Sequence, residues 1–280
     1  MPTQTLISSE SLSAEAERKA SERPAALRLS PATWLALVLP LLLLLAWQAV
    51  ASRGTVSPAL LPSPGLVLRT LIALARSGEL TAHLAATGRR MIFGFLLGAA
   101  IGTLFGALTG AVPLARRLLD PLVQALRSVP SIAWVPLFII WFGIFEASKV
   151  ALIAVGVFFP VYLNLMAGVA GVDRKLIEVG QVHRLGRVAL VTRVLVPASL
   201  PAYLTGLRSG LGLGWMFVAA AELMGASDGL GFLLTDGEQT GRPETVIAAI
   251  LLFALCGKAT DLALAALGGR LVGWQDTVRS

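Results

Sequence analysis

Among the ionisable residues in stretches of this chain that are otherwise apolar, Arg208, Glu222, Lys258 and Asp261 stand out. A charge in a lipid-embedded segment is costly, so each is a candidate for work on a solute or for an internal ion pair. Glu222 follows Ala219-Ala220-Ala221 and can face a cavity or cap a helix turn. Arg208 lies about two helical turns from the other end of the same stretch. These two are the candidates for a solute pathway or gate. Lys258 and Asp261 stand at i and i+3, where a helix lets them pair with each other, and they read better as structure. The acids do not gather at one depth, as a proton relay would require.

Bond-making chemistry finds no support. Gly257-Lys258-Ala259-Thr260 resembles the end of a P-loop, but the upstream glycine and the hydroxyl residue after the lysine are missing. Gly210-Leu211-Gly212-Leu213-Gly214 has the wrong spacing for a dinucleotide turn and no strand before it. His83 and His183 fall in different loops, and Cys256 is the sole cysteine. A metal site and an intrachain disulfide are both excluded on that count. The expectation is a chain that is not an enzyme and holds no metal or cofactor.

The elements that must position the charges follow from composition. Of 280 residues, 56% are hydrophobic and 14% charged, against roughly 25% charged in a soluble domain. Mean hydropathy is +0.78. A soluble enzyme and a disordered chain are both excluded, and an all-α integral membrane protein remains. The net charge of +7 fits basic anchoring loops better than nucleic-acid binding. Runs near the ~20-residue length of a membrane helix occur at 33–51, 91–112, 121–145, 148–170, 201–223 and 245–267. They define a transmembrane domain over 33–270, between a polar, flexible tail of 1–32 and a short tail of 271–280. Ala49-Val50-Ala51 resembles a signal-peptidase site, but the polar tail and the apolar run before it are too long for a signal peptide.

With the N-terminus inside, thirteen Lys/Arg fall on inside segments and seven outside, while Arg127, Arg208 and Lys258 lie within spans. That asymmetry places both termini in the cytoplasm. The outer loop of 52–90 carries apolar residues at helical spacing from Leu66 to Leu84, as one or two short surface helices would. Gly94, Gly98, Gly102, Gly106 and Gly110 recur every four residues, and Gly206, Gly210 and Gly214 repeat the device. Such faces admit a second helix at close range, as fixed packing or as a sliding seam. Pro40, Pro130, Pro136 and Pro160 should bend their spans.

The segment 171–200 is the largest inside loop. Arg174, Glu178, Gln181, Arg184 and Arg187 mark a polar stripe beside Leu176, Val179, Val182, Leu185 and Val188. This spacing describes a short amphipathic helix, with Asp173 at its start and Pro197 and Pro201 ending it. Such a helix either lies among lipid headgroups or receives a partner.

That loop resembles the cytoplasmic loop of binding-protein-dependent ABC importer permeases. Their pattern is Glu-Ala-Ala, a glycine four positions after the second alanine, and a hydrophobic-x-Leu-Pro ending nineteen residues after the Glu. Here Glu178 and Pro197 hold the acid and proline positions, with Val194-Leu195-Val196 between. Val179-Gly180 replace the alanines, Arg184 replaces the glycine, and Gly186 comes two positions late. Leu61-Pro62-Ser63-Pro64, Ser128-Val129-Pro130, Trp141-Phe142-Gly143-Ile144, Leu211-Gly212-Leu213-Gly214-Trp215, Ala221-Glu222 and Gly229-Leu230-Gly231 are similar to the aliphatic sulfonate, taurine and nitrate branch.

The resemblance implies the type I importer permease (MetI-like) fold of about six spans. It implies a homodimeric permease above two ATPase subunits, which hold ATP and Mg. It also implies a substrate-binding protein outside and a bacterial inner membrane around it. Glu178, Gly180, Gln181, Arg184, Gly186 and Pro197 become the coupling residues, and a sulfonate the favoured solute. An ion-coupled secondary transporter would instead call for paired acids and an inverted repeat, and a mere membrane scaffold for no pathway.

Overall fold

The computed structural model describes residues 31–54 and 56–273; the tails expected at 1–32 and 271–280 fall almost wholly outside them. The chain divides into two units, ending and beginning at Arg53 and Gly54. The first contains one described helix, α1 (Pro31–Ser52), 22 residues with Pro40 inside. At 1.5 Å per residue it is about 33 Å long, enough to cross the hydrocarbon layer.

The second unit is an all-helical bundle. It comprises α2 (Pro64–Ser77), α3 (Glu79–Ala111), α4 (Pro113–Arg127), α5 (Ser131–Phe142), α6 (Glu146–Ala170), α7 (Arg174–Val182), α8 (Arg187–Leu190), a π turn (Val191–Leu195), α9 (Val196–Leu223), α10 (Leu230–Gln239) and α11 (Pro243–Leu271). Among the described residues of this unit four helical stretches are long and apolar enough to cross a membrane: 79–111, 146–170, 188–223 and 243–271.

Three expectations are corrected. The stretch 121–145 is not one span. The chain breaks at Ser128–Pro130 into α4 and the 12-residue α5. Pro130 disfavours helix at Val129, and the Ser128 hydroxyl closes α4 by donating to the Ala125 carbonyl at 2.6 Å. Next, Leu66–Leu84 holds one short, largely exposed helix and then runs into the long α3 rather than into a second short helix. Gly78, at φ 84, ends α2 and starts α3, folding one back on the other. Leu71, Leu74, Leu80 and Leu84 then cover Leu230, Leu233, Ala249 and Leu252 of α10 and α11. Finally, Pro197 and Pro201 stop nothing. The π turn, closed by Val196 N–H to the Val191 carbonyl, inserts an extra residue per turn, and the helix continues through both prolines.

The core is built around α6. Its residues Ile153, Val157, Val161, Leu165 and Val169 recur every four positions and face Gly94, Gly98, Gly102, Gly106 and Gly110 in the same order. The two helices therefore run parallel, side chain of one into glycine of the next. On its other flank α6 meets α9 antiparallel, with Gly206 against Asn164 and Gly210 and Gly214 against Val157. Ile153, Val157 and Val161 are wholly buried between the two. Polar ties lock the sandwich: Tyr203 Oη to Thr103 Oγ1 (2.9 Å) joins α9 to α3, and Trp215 Nε1 to Thr260 Oγ1 (2.9 Å) joins α9 to α11.

A methyl at Gly98 would overlap the Ala154 carbonyl oxygen, whereas one at Gly212 would meet nothing within 4 Å. Gly98→Ala should therefore cost about 1–3 kcal/mol, and Gly212→Ala should be neutral or gain up to about 1 kcal/mol from helix propensity. Thermal unfolding in detergent checks the pair: a lowering of several degrees for the first and none for the second.

Candidate functional site

The chain presents two clusters of functional groups, at opposite ends of α6 and α9. The first is α7. Asp173 caps it, accepting from Lys175 N at 2.9 Å. The helix stops at Val182 rather than continuing to Val188 as the apolar spacing suggested. Leu185 N–H reaches the Gly180 carbonyl (3.0 Å) and Arg184 N–H the Gln181 carbonyl (2.8 Å). These paired bonds are a Schellman ending, which needs a left-handed residue just past the helix. Arg184 supplies it at φ 52, alone among the described non-glycine residues. The position where the resembled pattern carries glycine is thus the one where the backbone asks for glycine.

The residues predicted from the loop fall into distinct places. Glu178 and Gln181 are exposed, beside exposed Leu176, Val179 and Val182, the last 80% accessible. Glu178 is held by Arg174 Nε at 3.2 Å, a solvent-facing pair. Gly180 is on the underside, where a Cβ would come within 2.6 Å of Leu190 Cδ1. It lines a groove together with Val179, His183, Val194 and the half-buried Pro197. Gly186 stands in open space. So α7 rests on α8 and the π turn through Gly180, with Leu176 and Val179 along the groove and Glu178, Gln181 and Val182 turned outward.

Arg208 is paired, not free. It forms a bidentate bridge from α9 to Asp261 of α11, Nε to Oδ1 at 2.9 Å and Nη2 to Oδ2 at 3.1 Å. Lys258 reaches the same carboxylate only at 3.9 Å. The spacing-based pair Lys258–Asp261 exists, but the stronger partner comes from another helix.

The second cluster surrounds Glu222, whose side chain is 0% exposed. Thr87 Oγ1 donates to its two oxygens (2.8 and 3.0 Å), Arg90 Nη1 donates at 2.8 Å and the Gly231 N–H at 2.8 Å. Arg90, 1% exposed at its side chain, is the hub. It also grips Glu146 with Nε (2.8 Å) and Nη2 (2.6 Å), donates to the Asp228 carbonyl (2.8 Å) and pairs with the Asp228 carboxylate. Arg89 and Lys149 each lie 3.8 Å from Glu146. Three cations meet three carboxylates, so the knot is neutral. Gly229, at φ 109, gives its N–H to His83 Nδ1 at 3.0 Å, and a Cβ at Gly231 would lie 2.5 Å from Glu222 Cβ. The glycines of Gly229-Leu230-Gly231 let the loop close over the carboxylate.

By sequence Arg90 reads as one more loop charge. Its partners lie 56 to 138 positions away, and only its place beside the apolar run of α3 hinted at burial. Among the described residues no group of His, Cys, Asp and Glu is arranged to hold a metal.

A bundle of parallel and antiparallel membrane helices with an exposed amphipathic helix at one end is the form of a transport permease. Residues 92–273 match the family described as binding-protein-dependent transport system inner membrane component, and the chain belongs to it. It is 42% identical over 241 residues to a Bacillus subtilis (strain 168) protein provisionally named an aliphatic sulfonates transport permease, SsuC, covering 86% of this chain and 87% of that one. It is 37% identical over 242 residues to the taurine transport system permease protein TauC of Escherichia coli (strain K12), covering 85% and 88%. With the nitrate import permease protein NrtB of Leptolyngbya laminosa it shares 31% identity over 190 residues, 68% of each chain. A structure of the MetNI methionine ABC transporter in inward-facing conformations shares the fold at a TM-score of 0.55 and 20% identity, over 72% of this chain and 98% of that one. The protein is thus a multi-pass inner-membrane permease of the ABC importer class, with the MetI-like fold.

Two predictions follow from the geometry. Arg184→Gly should relieve left-handed strain and raise stability by about 1 kcal/mol, whereas Arg184→Val should lower it; detergent melting reads both. Glu222→Ala takes one of three carboxylates from Arg90 and leaves the Thr87 hydroxyl and Gly231 N–H without their acceptor, and should cost about 1–3 kcal/mol. The double variant Arg90→Leu with Glu222→Leu should be less destabilised than the two single losses summed, which a double-mutant cycle measures.

Proposed function

We propose that this chain carries a small organic anion, an aliphatic sulfonate first, across the inner membrane by alternating access. The observation that carries the assembly is the exposure on α7 of Leu176, Val179 and Val182, with Glu178 and Gln181 exposed on the same short helix. Apolar side chains of that size, rimmed by charge, fit a groove on a protein partner better than water. The partner in this reading is an ATPase subunit, two per transporter, which binds ATP and Mg while this chain performs no bond chemistry. A second copy of the permease completes the pore, and a substrate-binding protein delivers the solute at the end where Glu222 is buried. Both termini then face the cytoplasm, as the Lys/Arg asymmetry requires.

Coupling is mechanical. Glu178 and Gln181 meet the ATPase, Gly180 and Pro197 seat α7 on the helices beneath it, Arg184 fixes its end and Gly186 gives the chain its turn toward α8. The identity to SsuC favours a sulfonate over taurine and nitrate, which remain the alternatives.

The full transporter in proteoliposomes, with ATP inside and binding protein outside, should accumulate labelled ethanesulfonate more readily than taurine or nitrate. Accumulation by the permease alone under an ion gradient would overturn the reading. Glu178→Lys should reduce co-purification of the ATPase at least about tenfold while the permease still inserts, the loss of a charged contact being worth that much. Unchanged co-purification would remove Glu178 from the contact.

A further inference from the structure

On the flank of α6 the break between α4 and α5 leaves a half-open cleft of about 460 Å³. Its walls include Gly156, Phe159, Pro160 and Asn164 of α6, around the middle of a 25-residue helix, and Met216 and Phe217 of α9. The cavity therefore lies near the midplane of the membrane. Arg127, the last residue of α4, lines it with Ser128. Arg127 is exposed and makes no hydrogen bond or ion pair among the described residues. No Asp or Glu lines the cavity. By contrast Arg90, Arg208 and Lys149 all have carboxylate partners within 4 Å. Arg127 is thus a cation with no carboxylate partner beside an apolar wall, and such a site suits an anion.

We infer that Arg127 is the anion-binding residue of the solute pathway, facing a pocket built for a small organic anion with an apolar tail. The inference rests on the importer reading above and adds to it the group that touches the solute. The donor set fits. A guanidinium offers paired N–H groups to two oxygens of a sulfonate or carboxylate. Asn164 donates one amide hydrogen to the Pro160 carbonyl at 2.9 Å and keeps a second for the solute. The α5 N-terminus begins at the same break, and its dipole favours negative charge. Trp134, Phe159, Met216 and Phe217 supply apolar wall for an alkyl group. A lipid headgroup is a poor occupant, because headgroups lie about 15 Å from the midplane. Ser128 spends its hydrogen on the Ala125 carbonyl and so turns no donor toward the anion.

The test uses the complete transporter in proteoliposomes, with ethanesulfonate and butanesulfonate as labelled probes. Arg127→Gln should lower uptake at least about tenfold at low substrate, the loss expected for one charge-assisted contact. Arg127→Lys, which keeps the charge without the fork, should retain uptake with a raised KM. Arg69→Gln, an exposed arginine of α2, should transport as the wild type does. Co-purification with the ATPase and dimer size are measured for each variant. Wild-type uptake kinetics in Arg127→Gln overturn the inference while leaving the importer reading intact. So does dissociation of the permease dimer in both Arg127 variants, which would place Arg127 at a subunit contact. A wild-type transporter that accumulates no sulfonate, taurine or nitrate overturns the small-anion reading, and this inference with it.

Discussion

In a bilayer an apolar side chain gains nothing by leaving lipid for a neighbouring helix, so close contact must come from shape. Here that shape is the glycine face of α3, with a smaller one on α9, and α6 lies between them. Because α6 fills both grooves with branched side chains, no room remains there for a solute. Any pathway must run along the side of α6 that neither glycine face covers. That is the side occupied by the broken α4–α5 segment, where Val135 and Phe138 pack on Leu152 and Phe217. The packing rule thus decides what holds the bundle together and also where its working surface must be.

The same close packing makes α6 and α9 a single stiff unit from end to end. Gly168 meets Ala202 near one end, and Gly156 meets Phe217 toward the other. α7 follows α6 after three residues and leads through α8 and the π turn into α9. A displacement of α7 therefore acts on both helices at once. The Arg90 knot ties the far ends of α3, α6 and α9 to the loop at Asp228, so that end answers as a block too. Densely packed interiors transmit strain rather than absorb it.

How far the sequence discloses this depends on the range of each interaction. The five glycines of α3 declare a helix contact because their spacing is local, although the sequence cannot say that α6 fills the groove. The polar stripe of α7 is likewise local. Its end is not, because arginine seldom takes a positive φ, and Arg184 does so only where the Schellman bonds hold it. The break at Ser128–Pro130 hides inside apolar sequence that continues on both sides. Pro197 and Pro201 look like helix stops because the π turn that accommodates them has no sequence mark. The buried knot draws on α3, α6, α9 and the loop before α10. No spacing rule connects residues so far apart, and the same limit concealed Arg208 as the main partner of Asp261.

The balance of charge in the knot bears on how the protein meets the membrane potential. Moving one elementary charge through 100 mV takes about 2.3 kcal/mol. Arg89, Arg90 and Lys149 against Glu146, Glu222 and Asp228 sum to zero. If that block shifts as a unit, the voltage does no net work on it. Its movement is electrically silent, and a cell can change its membrane voltage without prying this end of the permease open or pressing it shut.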